Sequence, residues 1–216
     1  MSYLIDFILH IDKHVIQIVT QFGNWTYAIL FAIIFIETGA VILPFLPGDS
    51  LLFAAGAISA NPIYHLNPWL FALLFWIAAL SGDSLNYFIG KYIGHAMMDH
   101  HILGRFIKRE SVQKSEAFFA KYGAIAIIFA RYLPIIRTFA PFVAANSGVE
   151  YKLFLKYSII GATTWTIIGT GAGYFFGNIP FVQNHFSAVI FGIIIVTLLP
   201  AVIAGVRSKF SKNKVN

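Results

Sequence analysis

The sequence predicts an all-α integral membrane protein, an inverted repeat of two re-entrant helical hairpins plus three transmembrane helices, preceded by an N-terminal amphipathic helix. Three observations predict it. Hydrophobic residues fill 58% of the 216 positions and charged residues only 11%, a balance foreign to water-soluble domains. Two apolar stretches, FIETGAVILPFLPGDSLLFAAGA and IFARYLPIIRTFAPFVAANSG, are each broken by two prolines. The first carries the acids Glu37 and Asp49, the second the bases Arg131 and Arg137. Charge in hydrocarbon is costly, so its presence there points to function.

Residues 1–24 read as an amphipathic interfacial helix. Ile5, Ile8, Leu9, Ile11, Val15, Ile16 and Val19 recur at roughly helical spacing among Asp6, His10, Asp12, Lys13 and His14. With no basic start and no small-residue cleavage site, this is not a signal peptide. The membrane domain then runs over 25–206. Its first hairpin, 25–60, is broken at Pro44 and Pro47, because proline lacks an N–H and its ring clashes with the preceding turn. Gly48 permits an unusual turn there, and Asp49 or Ser50 can cap the LLFAAGA helix that follows.

NPIYHLNP is a turn signal. The first span follows over 68–90, near the roughly 20 residues a bilayer needs, and contains Asp83. Residues 91–121 are mixed and basic, a cytoplasmic loop with a short polar helix. The second hairpin, 122–147, is broken at Pro134 and Pro141. Spans over 155–176 and 186–206 flank the turn GNIPFVQNH, and 207–216 is a basic tail.

Orientation comes from the bases. Twelve of the fifteen Lys and Arg lie in the middle loop, just before the second span, or in the tail. All three groups share one side only if each hairpin returns to the side it entered, and the positive-inside rule makes that side cytoplasmic. The acidic hairpin then enters from outside and the basic one from the cytoplasm, with tips that can meet near the midplane. Irregular backbone at that depth needs protein or a water-filled cavity around it. Hairpin plus span, twice, is the inverted plan of many secondary transporters. Gly82, Asn86, Gly90 and Gly94 along one span, and Gly161, Gly169, Gly173 and Gly177 along the other, mostly at four-residue spacing, fit close helix packing.

Five formal charges fall at membrane depth: Glu37, Asp49, Asp83, Arg131 and Arg137. Three acids against two bases leave one excess negative charge, so Glu37, Asp49 or Asp83 is a candidate to carry a coupled proton. The forked guanidinium donors of Arg131 and Arg137 suit phosphate or carboxylate better than an ammonium would. Internal ion pairs that merely hold the hairpins together are the plainer alternative, as is simple capping for Asp49. The two arginines are six residues apart across Pro134, and their convergence is an expectation. Trp25, Trp69, Trp76, Trp165 and the tyrosines are expected to include interfacial anchors.

Other chemistries lack a motif. There is no cysteine, no GxxxxGK[ST] loop, no GxSxG elbow and no HExxH helix, so no enzyme activity and no cofactor is expected. His95, Asp99, His100 and His101 lie close in sequence but fit helical ligand spacing poorly, so no metal site is expected. The net charge of +6 reads as cytoplasmic loops rather than as a nucleic-acid surface.

The chain resembles the DedA family of membrane proteins, also called the SNARE-associated or VTT-domain family. The resemblance rests on Glu37-Thr-Gly, Pro44-Phe-Leu-Pro-Gly-Asp-Ser-Leu-Leu-Phe, Gly82-Asp-Ser-Leu-Asn-Tyr, Phe129-Ala-Arg-Tyr-Leu-Pro-Ile-Ile-Arg-Thr-Phe-Ala-Pro-Phe-Val-Ala and Ile160-Gly-Ala-Thr-Thr-Trp. It extends over nearly the whole chain. At Ala144-Ala145-Asn146 the sequence departs from the Ala-Gly of many relatives.

The resemblance implies two re-entrant hairpins in the bacterial cytoplasmic (inner) membrane, and transport or scrambling of lipids. Some bacterial relatives are implicated in recycling undecaprenyl phosphate, others in proton-motive-force maintenance. It also implies that Glu37, Asp49, Arg131 and Arg137 are essential. The leading expectation is therefore a flippase for a polyprenyl phosphate or another anionic phospholipid, with protons as a second partner and the C-terminus cytoplasmic. A proton-dependent exporter or antiporter of small cations or drugs is the second reading, and a structural protein of envelope or division complexes the third. A homo-oligomer is compatible with each.

Overall fold

The computed structural model describes residues 11–39, 48–99, 109–185, 188–189 and 192–193. Among the described residues every regular element is helical. The expected third span and basic tail lie almost wholly outside them, as do residues 1–10, Pro44 and Pro47.

Helix α1 (Ile11–Phe22) is joined to α2 (Trp25–Gly39) by a turn at Gly23, whose φ of 52° suits a residue without a Cβ. The α1 stripe of Val15 and Val19 is buried in the main apolar core, against α2 and the helix α3 (Gly48–Ser59). Of the apolar positions expected on this segment, Val15 and Val19 face protein, while Ile16 is 37% exposed. Helix α3 is buried on nearly every side, which suits the apolar run that follows its first turn. Its 12 residues rise about 18 Å, too short to cross about 30 Å of hydrocarbon alone. A 3₁₀ turn at Pro62–Tyr64, capped by Asn61, leads to α4.

Helix α4 (Pro68–Asp99) has 32 residues, and its part Pro68–Tyr92 is long and apolar enough to cross a membrane. It does not stop at residue 90, where the apolar run ends. KYIGHAMMD contains no proline, so the backbone ladder continues into polar sequence. Much of the expected loop is helical for the same reason: α5 (Arg109–Tyr122) follows, then a 3₁₀ turn at Gly123–Ile125 and the short α6 (Ala126–Ala130). After a break, α7 (Pro134–Asn146) and α8 (Tyr151–Phe176) complete the domain, followed by the short α9 (Pro180–Asn184).

The packing exchanges partners between the halves. Helix α2 lies along α4 and α6 along α8, so each first arm contacts the long helix that follows it in sequence. The second arms cross over: α3 packs chiefly on α8, and α7 on α4. Glycine makes the α3–α8 crossing possible, since a Cβ on Gly173 would overlap the backbone of Phe53, and one on Gly56 the backbone of Thr170. Two buried clusters result, one around Leu30, Phe71, Phe75 and α3, the other around Tyr87, Phe142 and Phe154.

Candidate functional site

The break between α6 and α7 is local chemistry. Amides of Arg131, Tyr132 and Leu133 bond three residues back, to Ile128, Phe129 and Ala130, tightening the chain as it leaves the helix. Leu133 is extended (φ −117°, ψ 101°), the conformation that a following proline enforces, and Pro134 opens α7 where its missing N–H costs nothing. On a straight helix, residues six apart point about 240° from one another. The break brings Arg131 and Arg137 to one side instead: their guanidinium carbons lie 5.7 and 4.4 Å from the ring centroid of the same side chain, Trp165.

The acids come from three other helices. Glu37 is near the end of α2, Asp49 in the first turn of α3 and Asp83 within α4. Arg137 reaches two of them, with Nη2 3.4 Å from Glu37 Oε2 and Nη1 3.4 Å from Asp49 Oδ1. Asp49 keeps 30% of its side chain exposed, against 9% for Glu37 and Arg137. The open side of this triad is therefore at Asp49. Gly48 opens α3; its N–H donates to the Glu37 carboxylate, and a Cβ there would overlap that carboxylate.

Arg131 is held differently. Its Nη2 pairs with Asp83 Oδ2, the Ser158 hydroxyl donates to the same oxygen, and both charged side chains are more than nine-tenths buried. The Nη1 of Arg131 is buried with no partner. Beside it lies a small, partly open cleft of about 10 Å³, room for about one water molecule, lined by Asp83, Arg131, Arg137, Ile127, Ala130, Ala140 and Pro141. Two guanidiniums, one with a donor to spare, thus border a cavity with apolar walls. Such a site offers charge-assisted hydrogen bonds to a small anion and an apolar surface to whatever carries it.

Helix α7 runs on through Pro141, so of the two expected breaks in this hairpin only the one at Pro134 forms. Asn86 Nδ2 donates 2.8 Å to the Thr138 carbonyl, three residues before Pro141, and lies 3.5 Å from the Thr38 carbonyl at the end of α2. One buried amide on α4 thus ties α7 to the end of α2.

Sequence reasoning placed Asn86 in a helix-packing stripe and missed Ser158 and above all Trp165, which it grouped with the membrane anchors. Trp25 and Trp69, at 74% and 78% exposed, fit that role, but Trp165 is 4% exposed. Its Nε1–H donates to Asp49 Oδ1 at 2.6 Å. Spacing held the signal: Ser158, Gly161, Trp165, Gly169 and Gly173 follow one another at three or four residues and share a face of α8. The side chains of His95, Asp99, His100 and His101 lie outside the described residues.

A model of the VTT domain matches residues 46–175, which hold Asp49, Asp83, both arginines and Trp165. The chain is 47% identical over 207 residues to Protein DedA of Escherichia coli (strain K12), covering 96% of this chain and 94% of the relative. It is 42% identical over 186 residues to an uncharacterized membrane protein, Rv0364, of Mycobacterium tuberculosis, covering 86% and 81%. Against the inner membrane protein YghB of Salmonella typhimurium identity is 31% over 211 residues, covering 97% and 92%. No solved structure matches the chain.

Proposed function

Because the chain belongs to the DedA family of VTT-domain membrane proteins, we propose that it moves an anionic lipid across the membrane, with a polyprenyl phosphate as the leading class. The observation that carries this reading is Arg137, shared at 3.4 Å by carboxylates from two helices beside a cleft that Arg131 also lines. Contacts of that length are loose for charge-assisted pairs. An incoming phosphate can compete for Arg137 while the carboxylates release it. The cleft's Ile127, Ala130, Ala140 and Pro141 offer the hydrocarbon near the headgroup an apolar wall.

No bond of the substrate is made or broken in this reading; the reaction is translocation. The hairpins are re-entrant, in keeping with the short α3 and with arms that pack on each other's spans. The membrane is the bacterial inner membrane, with the basic segments and the C-terminus on the cytoplasmic side. Three carboxylates face two guanidiniums, which favours a proton moving with the exchange.

The test is reconstitution in liposomes with a fluorescent polyprenyl phosphate, whose arrival in the other leaflet is followed by quenching. Wild-type protein accelerates flipping and Arg137→Ala abolishes the acceleration. Equal rates with and without Arg137 overturn the proposal. Proton flux driven by a cationic drug, with no lipid movement, establishes the antiporter reading instead.

A further inference from the structure

We infer that Trp165 is a positioning residue, a neutral side chain that keeps Arg137 and Asp49 partnered while the two separate to admit an anion. The inference rests on the anion-transport reading. In the structure one Asp49 oxygen takes both the Trp165 N–H, at 2.6 Å, and the Arg137 Nη1, at 3.4 Å. The face of the same indole lies 4.4 Å from the Arg137 guanidinium carbon and 5.7 Å from that of Arg131. Acid and base therefore share one uncharged neighbour, the acid at its N–H edge and the base at its π face.

An anion can use the forked donors of Arg137 only when Arg137 leaves its carboxylates. Stripping a half-buried carboxylate of every donor is costly, and so is isolating a buried guanidinium. Trp165 removes both costs. When the pair parts, Asp49 keeps the indole N–H and Arg137 keeps the ring quadrupole beneath it. Trp76 cannot serve, since its Nε1 donates to Thr163 3.0 Å away, and Trp25 and Trp69 are exposed.

The indole N–H matters most in the anion-bound state, where Asp49 has lost Arg137. Trp165→Phe keeps a ring and removes the donor, so it weakens the bound state more than the empty one. The loss of one hydrogen bond to a charged group raises half-saturation at least about tenfold, with the maximal rate nearly unchanged. Trp165→His, which retains a ring N–H, recovers part of that loss. A residue serving only the fold would not separate the two kinetic constants in this way.

Two measurements test the inference. In proteoliposomes, initial flipping rates of a fluorescent farnesyl phosphate are measured against its mole fraction for wild type, Trp165→Phe and Trp165→His. Separately, with Trp25, Trp69 and Trp76 changed to Phe, Trp165 becomes the sole tryptophan, and its emission is titrated with monododecyl phosphate and with inorganic phosphate. Expected are the raised half-saturation in Trp165→Phe, partial recovery in Trp165→His, and a saturable emission change. A change with dodecyl phosphate alone places the phosphate on a lipid, and a change with inorganic phosphate at similar concentration places it on a soluble anion. Either supports the role of Trp165. An unchanged half-saturation in Trp165→Phe overturns that role alone while the transport reading stands, and so does an emission silent to both probes while the protein still flips lipid. Wild-type protein that neither flips nor binds any probe overturns both.

Discussion

Arg131 and Arg137 have different attachments, and stability measurements on their variants separate a structural pair from an exchanging one. Arg131 is pinned: Asp83 and Ser158 hold it, and it and Asp83 are more than nine-tenths buried. Arg131→Met removes one charge and leaves Asp83, 7% exposed, without a cation and with the Ser158 hydroxyl as its remaining donor. Breaking a buried pair from one side costs about 3–5 kcal/mol, because the remaining charge is uncompensated. Removing both charges, in Asp83→Leu with Arg131→Met, leaves no bare ion, and apolar replacement of a buried pair is often close to neutral.

The double variant is therefore expected to recover most of the stability that Arg131→Met loses. Arg137→Met strands no acid so completely. Its partners stand 3.4 Å away, Asp49 keeps water access and the Trp165 N–H, and Glu37 keeps the Gly48 N–H. Its cost is about 1–3 kcal/mol, the range for leaving a group with one partner fewer. The assay is unfolding of each purified variant in mixed micelles of rising SDS content, followed by far-ultraviolet circular dichroism. Arg131→Met as stable as Arg137→Met, or a double variant no better than Arg131→Met, refutes the distinction between the pairs.

Further predictions concern Gly48 and topology. Gly48→Ala places a methyl group where the Glu37 carboxylate lies, and since that carboxylate ends a flexible side chain, it moves rather than the helix. Unfolding in the same SDS titration should shift by less than about 1 kcal/mol, as for the loss of a modest contact, while lipid flipping falls at least tenfold. Normal flipping in Gly48→Ala removes Glu37 placement from the mechanism. Because the chain has no cysteine, single cysteines report sidedness directly. In spheroplasts a membrane-impermeant maleimide should label His65→Cys, in the turn before α4, and should reach Lys121→Cys and Lys152→Cys only after permeabilisation. The opposite pattern inverts the assigned orientation.

Much of this arrangement is written in the sequence, and the omissions have physical causes. Apolar runs locate α2, α3, α4 and α8, and the X-Pro steric rule locates the break before Pro134. The five charges are visible because nothing but a partner or a function accounts for an ion in such surroundings. Hydropathy marks where a helix stops being greasy, not where its hydrogen bonds stop, so the extension of α4 to Asp99 is invisible to it. Trp165 escapes for a related reason. An indole with an apolar body and one polar edge suits a membrane interface and an ion-pair site equally well, and only its register with Ser158 and Gly161 separates the two.

Which acid meets which arginine follows from the crossing of arms between the halves, and no local signal carries it. Helix α3 rests on α8, and α7 rests on α4, so Asp49 is carried on one long helix and Arg137 on the other. Glu37 travels with α4 as well, through the packing of α2. A tilt of α8 against α4 must therefore change the Asp49–Arg137 distance while leaving Glu37 and Arg137 on a common support. Arg131 sits on the seam itself, its backbone following α6 on α8 while its side chain grips Asp83 on α4. The pair that closes the open side of the site is the pair that relative motion of the halves would part first, and the most deeply buried pair is the one that ties those halves together.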